Sequence, residues 1–177
     1  CDFARKRFGI ELSGDVLEKS GFEDGFFDVV TFWNVLEELP GPQNALKDVF
    51  RLLRPGGMVL IRDVNASFHV PARKLFRAAA RIIPAVKKAD QSVFHLYTFD
   101  SKTLAELLSR AGFTDISFQP AYLAWTTEHT ARTNSLKVAA SRAMNAVSAA
   151  VCSLFPGTVV APSLFATALK TASGERD

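Results

Sequence analysis

Two short stretches of the chain are almost continuously apolar and rich in β-branched residues, Asp28–Phe32 (DVVTF) and Met58–Ile61 (MVLI). Both are too short for helices. Bounded by Gly25, Asn34 and the pair Gly56-Gly57, they have the pattern of strands buried on both faces. Between them the pattern changes period: Leu46, Val49, Phe50 and Leu53 recur at helical spacing, Pro42 stands where a first-turn proline is tolerated, and Arg54 supplies a cation to the last turn. A strand, a helix and a second buried strand predict a βαβ unit with parallel strands and a right-handed crossover. The fold class is therefore α/β.

The rest of the chain is placed around that unit. Cys1–Phe8 reads as the end of a helix closed by Gly9, and Ile10–Ser13 as a short strand followed by the turn Gly14-Asp15-Val16. Glu18–Gly25 is a polar loop into the first long strand. After the second, Asn65–Val70 reads as a loop, and Pro71 opens a helix to about residue 83, stopped by Pro84. His95 and Tyr97 alternate in a strand-like run ending at Phe99. Asp100 or Ser101 then caps a helix whose Leu104, Leu107 and Leu108 face the core before Gly112 ends it. Phe113–Gln119 predicts another strand. Across 128–155, Leu136, Ala140, Met144, Val147, Val151 and Leu154 fall at spacings of four and three, with Lys137, Ser141, Asn145 and Ser148 on another face, an amphipathic helix ended by Pro156-Gly157. Ser163–Leu169 is an apolar closing strand, and the tail frays from Gly174. No repeat or linker interrupts the pattern, so 1–177 reads as a single partial domain: 1–63, a basic segment 64–98, and 99–177 with the helical insertion.

Composition changes this picture little. With 177 residues and 48% hydrophobic content the chain can bury a sizeable core, and its net charge of +3 is only mildly basic. The distribution of charge says more. Between Asp63 and Asp90 there is no acidic residue, while Arg73, Lys74, Arg77, Arg81, Lys87 and Lys88 all fall there. Arg73, Arg77 and Arg81 repeat every fourth residue, a like-charge stripe that wants solvent or an anion. Solvation is the simple reading. A basic amphipathic element meeting an anionic substrate or a membrane surface is the sharper one, with the helix near 134–155 as a second element for peripheral membrane contact. Nucleic acid is not expected, since aromatic residues are not interleaved with the cations on that face. Two cysteines, Cys1 and Cys152, make no disulfide framework and point to a reducing cytoplasm. His69, His95 and His129 share no metal-ligand spacing, so no metal site is expected.

The polarity of the βαβ unit directs the search for chemistry. Gly56-Gly57 follows a helix and precedes a strand, at the negative end of the helix dipole, so it is a turn and not a phosphate cradle. Ligands of open parallel sheets bind outside the carboxyl ends of the strands. Those ends are Phe32–Glu38 and Arg62–Asn65.

FDVVTFWNVLEELPGPQNALKDVFRLLRPGGMVLIRD, from Phe27 to Asp63, resembles the central segment of class I S-adenosylmethionine-dependent methyltransferases, in the branch that includes quinone-biosynthesis enzymes and related small-molecule methyltransferases. HLYTFDSKTLAELLSRAGF at 95–113 is similar to the family's late strand-to-helix segment. The resemblance implies a partial Rossmann-like fold: a mostly parallel sheet with helices on both faces and an antiparallel closing strand. It also implies that the first two strands and their glycine-rich loop are missing. The ten glycines contain no GxG, and the chain reads as an N-terminally truncated fragment.

What the resemblance implies for the site can be stated by residue. Asp15 would accept a hydrogen bond from the adenine amino group of S-adenosyl-L-methionine, with the Val16 amide meeting the ring, though an exposed turn needs such an aspartate anyway. Trp33 and Asn34 would contact the cofactor, or Trp33 would cover the core. Glu38 stands where many relatives carry histidine, and with Glu37 it is either a pair of helix-dipole partners or a source of general base. His95 would contact the acceptor or take its proton, or else bond to backbone at the core edge. Arg73, Arg77 and Tyr97 would belong to a lid over the substrate.

Two functions follow. One is methyl transfer from S-adenosylmethionine to a small-molecule or lipid-like acceptor, a displacement that relies mainly on alignment and exclusion of water. The other is a non-catalytic α/β module that lacks cofactor binding on its own. In the family's sheet order the strand at 10–13 would lose its neighbours, and the strand at 28–32 would become an exposed apolar edge.

Overall fold

The computed structural model describes residues 1–82, 95–122, 135–155 and 157–171. Four strands form one sheet in the order β1 (Phe27–Trp33), β2 (Leu53–Val64), β4 (Ser163–Leu169), β3 (Thr114–Ala121). β1 and β2 are parallel, with Val30 opposite Val59 and Phe32 opposite Ile61. β4 runs antiparallel to both β2 and β3. Three strands therefore share one direction and the closing strand opposes them, as the resemblance implied.

The βαβ unit forms as its pattern predicts. α2 (Pro42–Leu52) has Pro42 at its first position and buries Ala45, Leu46, Val49 and Leu52. Leu46, Val49 and Leu53 are wholly inaccessible and meet Val59 and Ile61 of β2. α4 (Ser101–Ala111) lies beside α2 on the same sheet face, with Leu104 and Leu108 in the shared core. Each such leucine contributes about 1.5–3 kcal/mol by leaving water. The Asp100 carboxylate accepts from the Thr103 amide at 2.8 Å, which holds Asp100 below the usual carboxylate range, and Gly112 closes the helix at φ 104°.

Several expectations change. Helix α2 stops at Leu52, so Arg51 and not Arg54 is its last-turn cation; Arg51 pairs with Asp24, and Arg54 with Asp28, both at 2.6 Å. β2 begins five residues before Met58. Phe27 pairs with Leu53 but Val29 with Met58, so Arg54–Gly57 loop out of the ladder, and the two glycines do make a turn, within the strand's bounds. Gly57 is required there: a Cβ would lie 2.8 Å from the Arg54 carbonyl oxygen and 3.0 Å from that of Asp28.

β1 is not buried on both faces. Phe32 is buried, but Val29 and Trp33 are 47% and 58% exposed. The cause is position: Val29 and Trp33 face the side of the sheet opposite Phe32, which no helix covers among the described residues, and β1 also ends the sheet, with no partner strand on its outer edge. Ile10–Ser13 forms no strand for the same reason, and Ile10 and Leu12 are exposed. α1 (Asp2–Phe8), closed by Gly9 at φ 66°, is likewise exposed.

Asn65–Val70 is not a loop. α3 runs Ala66–Ile82 with Pro71 inside it, because the Asn65 side chain accepts from the Ser67 amide at 3.0 Å and starts the helix earlier than the proline. The run from His95 makes no strand. Phe99 alone bridges Asn65, in parallel sense. α5 spans Ser135–Leu154, but its inward side differs from the expected stripe: Ser148 is 2% exposed while Val147 is 64% and Leu154 73% exposed. Ser148 and Cys152 are small enough to let the helix approach, and the Cys152 thiol reaches the Val160 carbonyl at 3.7 Å. The expected helix stop at Pro84, Lys87, Lys88, His129, the start of the insertion at 128, Pro156 and the tail from Gly174 lie outside the described residues.

Candidate functional site

The carboxyl ends of β1 and β2 hold a connected group of polar residues. Asn34 leaves β1 at φ 53°, a left-handed conformation that asparagine tolerates. Its amide donates to the Arg62 carbonyl at 2.7 Å, and Arg62 Nη1 donates back to Asn34 Oδ1 at 2.8 Å. The Arg62 guanidinium lies 5.3 Å from the Trp33 ring centroid, and that ring meets Phe165 edge-on at 5.5 Å. Trp33 therefore lies over the open sheet face beside β4, where Leu60, Ser117, Gln119, Phe165 and Thr167 line a shallow depression of about 210 Å³.

Beyond Asn34 the chain makes a 3₁₀ turn, Leu36–Glu38. Such a turn points successive side chains in different directions. Leu36 enters the core and Glu37 is buried beneath the turn, 1% exposed, while Glu38 turns outward. The segment 95–99 clasps this turn: the Tyr97 amide donates to the Glu37 carbonyl at 3.0 Å, and the Tyr97 hydroxyl to the Pro40 carbonyl at 3.1 Å. The clasp sets His95 against Glu38, with Nδ1 2.5 Å from Oε1.

Behind Glu37 lies Asp63, wholly buried on β2. Its carboxyl is pushed up to about 9, first by burial, then by a hydrogen bond shared with the Glu37 carboxyl and by Glu37's charge. Asp63 thus keeps its proton near neutral pH. Glu37, Glu38 and His95 bring one ligand atom each within 4.8 Å of one another, so this donor set, unforeseen from histidine spacing, could hold a divalent cation. His69 sits apart, its Nε2 2.8 Å from the Pro162 carbonyl, and burial pulls its pKa down.

The structure thus brings together Glu38, His95 and Tyr97, and joins Trp33 with Asn34. It does not join Asp15, Val16, Arg73 or Arg77 to them by any contact shown among the described residues. Asp15 is an exposed turn residue bonded to Ser13, whose hydroxyl is 3.2 Å from Oδ2, and Val16 is 58% exposed. Arg73 and Arg77 are exposed on α3. Three residues of the site were missed: Arg62, Asp63 and, as a buried group, Glu37. The signal for Asp63 was present, since alternate residues Val59, Ile61 and Asp63 must share the inward face of β2.

A family model described as a methyltransferase domain matches residues 5–117, more than half of the chain. The demethylmenaquinone methyltransferase of Lactococcus lactis is 30% identical over 112 residues, which cover 55% of this chain and 43% of that protein. The ubiquinone/menaquinone biosynthesis C-methyltransferase of Vibrio vulnificus is 25% identical over 111 residues, 57% of this chain and 43% of its own. The chain therefore spans less than half the length of these curated relatives. A solved S-adenosylmethionine-dependent methyltransferase from Thermotoga maritima shares the fold, with a TM-score of 0.61 at 17% identity over 96% of this chain and 68% of that one. With the sheet order and the match over 5–117 in agreement, the chain belongs to the methyltransferase-domain family, of the class I type that uses S-adenosylmethionine.

Proposed function

We propose that this chain carries the acceptor-side half of an enzyme that transfers a methyl group from S-adenosylmethionine to a small-molecule or lipid-like acceptor, with a quinol or related phenol as the acceptor class. The observation that carries the proposal is the Glu38–His95 pair at the carboxyl end of β1. The quinone acceptors in the names of the relatives support the acceptor class.

The chemistry of the pair follows from its geometry. An ionised carboxylate only accepts, so His95 Nδ1–H donates to Glu38 and the lone pair is left on Nε2. A hydroxylated ring becomes a stronger nucleophile when its hydroxyl gives up a proton. His95 Nε2 takes that proton, Glu38 stabilises the imidazolium that forms, and the hydrogen displaced from the methylated ring carbon passes as a proton to the ring oxygen as aromaticity returns; the base contributes about 10²–10⁴ in rate when well placed. Tyr97 holds the turn in place, and Trp33 covers the approach from the sheet face.

S-adenosylmethionine supplies an electrophilic methyl group on a sulfonium. The residues present fit one end of it: Asp15, exposed and acceptor-only, suits the adenine amino group, with the Val16 amide beside it. The 177 residues contain no glycine-rich strand-to-helix loop to receive its amino-acid end.

A second reading for the chain by itself is a non-catalytic α/β module. The specific observation is the open edge of β1, with Val29 and Trp33 exposed. One experiment separates the two: methyl-labelled S-adenosylmethionine and a demethylmenaquinol are incubated with the protein, and label in the quinol ring is measured beside the affinity for S-adenosylhomocysteine. Ring labelling that falls in His95→Gln supports the enzyme. Neither labelling nor measurable affinity leaves the module.

A further inference from the structure

We infer that α3 is an interfacial helix that docks this chain on an anionic phospholipid surface. Successive residues of a helix are about 100° apart, which sorts most of α3 into two sides, with exposed Val70 the exception among the cations. Phe68, Pro71, Ala72, Leu75 and Ala78 fall on one side, and Arg73, Lys74, Arg77 and Arg81 within an arc on the other. The apolar side is not in the protein core: Leu75 is 73% exposed, and Pro71, Ala72 and Ala78 are exposed with it. Among the described residues, no other element makes an extensive contact with α3.

The charge selects the occupant. No acidic residue lies between Asp63 and Asp90, so α3 carries its cations with no acid of its own. A helix with an open apolar side, a cationic opposite side and no acid is the arrangement that lies in a membrane interface, its apolar residues among acyl chains and its long cations reaching to headgroup phosphates. Nucleic acid would use the cations but leave Leu75 in water, and a second copy would cover Leu75 while bringing the same positive charge.

The helix is firmly rooted. Asn65 donates from its side chain to the Val159 carbonyl at 2.8 Å, and the Ala66 amide donates to the Phe99 carbonyl at 2.9 Å. Its first turn thus leaves the sheet at the carboxyl end of β2, next to the Glu37–Glu38 turn and the segment that carries His95. Docking through α3 would set the mouth of the candidate site at the bilayer surface, where a lipid-like acceptor resides. The docking itself does not depend on the proposed activity.

The test is co-sedimentation of the 177-residue chain with phosphatidylcholine vesicles, with and without phosphatidylglycerol, at low and high salt. Binding should require phosphatidylglycerol and weaken with salt. It should fall by about fivefold for each cation removed, so Arg77→Glu with Arg81→Glu lowers it more than tenfold, and Leu75→Ser should lower it with the charge intact. Arg77→Gln with Arg81→Gln repeats the test with less disturbance, and circular dichroism confirms that each variant is folded. The inference is overturned if the chain stays in the supernatant with anionic vesicles, if binding ignores salt and these substitutions, if duplex DNA displaces it from the vesicles at equal phosphate, or if Leu75→Ser abolishes a concentration-dependent dimer without altering sedimentation.

Discussion

The carboxyl groups of Glu37 and Asp63 face each other inside the protein, 1% and 0% exposed. Among the described residues no donor is directed with full hydrogen-bond geometry at any of their four oxygens. Two acceptor-only groups cannot satisfy each other unless a proton lies between them. Asp63 supplies it, pushed up to about 9, with the Val35 backbone and Arg62 acting the other way by less than burial and Glu37. The pair fastens the turn that carries Glu38 to the strand that leads to α3.

A pH dependence of stability follows. Asp63 has a folded pKa above its unfolded value, so the native state holds a proton that the unfolded state releases. The contribution is fully present below about 4, the ordinary aspartate range, and is lost as pH rises towards the folded value of about 9. The slope is at most about 1.4 kcal/mol per pH unit from this group. Asp63→Asn carries its donor permanently, so its denaturant midpoint relative to wild type should improve steadily as pH is raised through this window. A constant difference across the window would mean that Asp63 is not protonated in the folded protein.

The Glu38–His95 contact predicts coupled kinetics. Glu38→Gln and His95→Gln should each lower kcat for methyl transfer by about 10²-fold, with KM for the acceptor changed less. The double variant should be little worse than either single one, because the two act as a unit. Additive losses, measured under saturating cofactor, would show that they act separately.

How much of this was legible beforehand can be argued from particular residues. The βαβ unit was, because Leu46, Val49 and Phe50 announce a helix and the flanking β-branched runs announce strands, although Leu53, read with the helix, opens β2. Ser163–Leu169 was found to the residue, since a short apolar run has few alternatives. The start of α3 was not: a proline is a louder signal than an asparagine, yet the Asn65 side chain decides where the helix begins. The inward side of α5 was missed because period alone cannot tell a serine small enough to be packed from one that is solvated. Glu38 and His95 were each proposed separately, 57 residues apart, and only the Tyr97 clasp makes them neighbours.

Gly57 should be the least replaceable position of the LRPGG turn. A methyl group there would meet the Arg54 oxygen at 2.8 Å, the Asp28 oxygen at 3.0 Å and Leu53 Cδ2 at 3.2 Å. Two of these are backbone atoms, one in the turn itself and one in β1, and cannot move without distorting the turn or the strand. Gly57→Ala should therefore destabilise by about 1–3 kcal/mol, read as a lower midpoint in urea. Gly56→Ala meets no neighbour within 4 Å, so its cost should come from φ 77° alone and be smaller.

The edge of β1 predicts how the chain behaves in solution. Parallel pairing with β2 uses one side of β1, and no strand pairs with the other among the described residues. Val29, 47% exposed, sits in the middle of that strand with Trp33 near its end. Unpaired backbone beside exposed apolar side chains templates further strands, and a charge on such an edge is a common natural remedy. Val29→Lys should raise the concentration at which the 177-residue chain begins to self-associate, as followed by light scattering, without lowering its unfolding midpoint by more than about 1 kcal/mol, since the replaced side chain is only partly buried. If scattering is unchanged while Leu75→Ser suppresses it, self-association runs through α3 and the sheet edge is already protected.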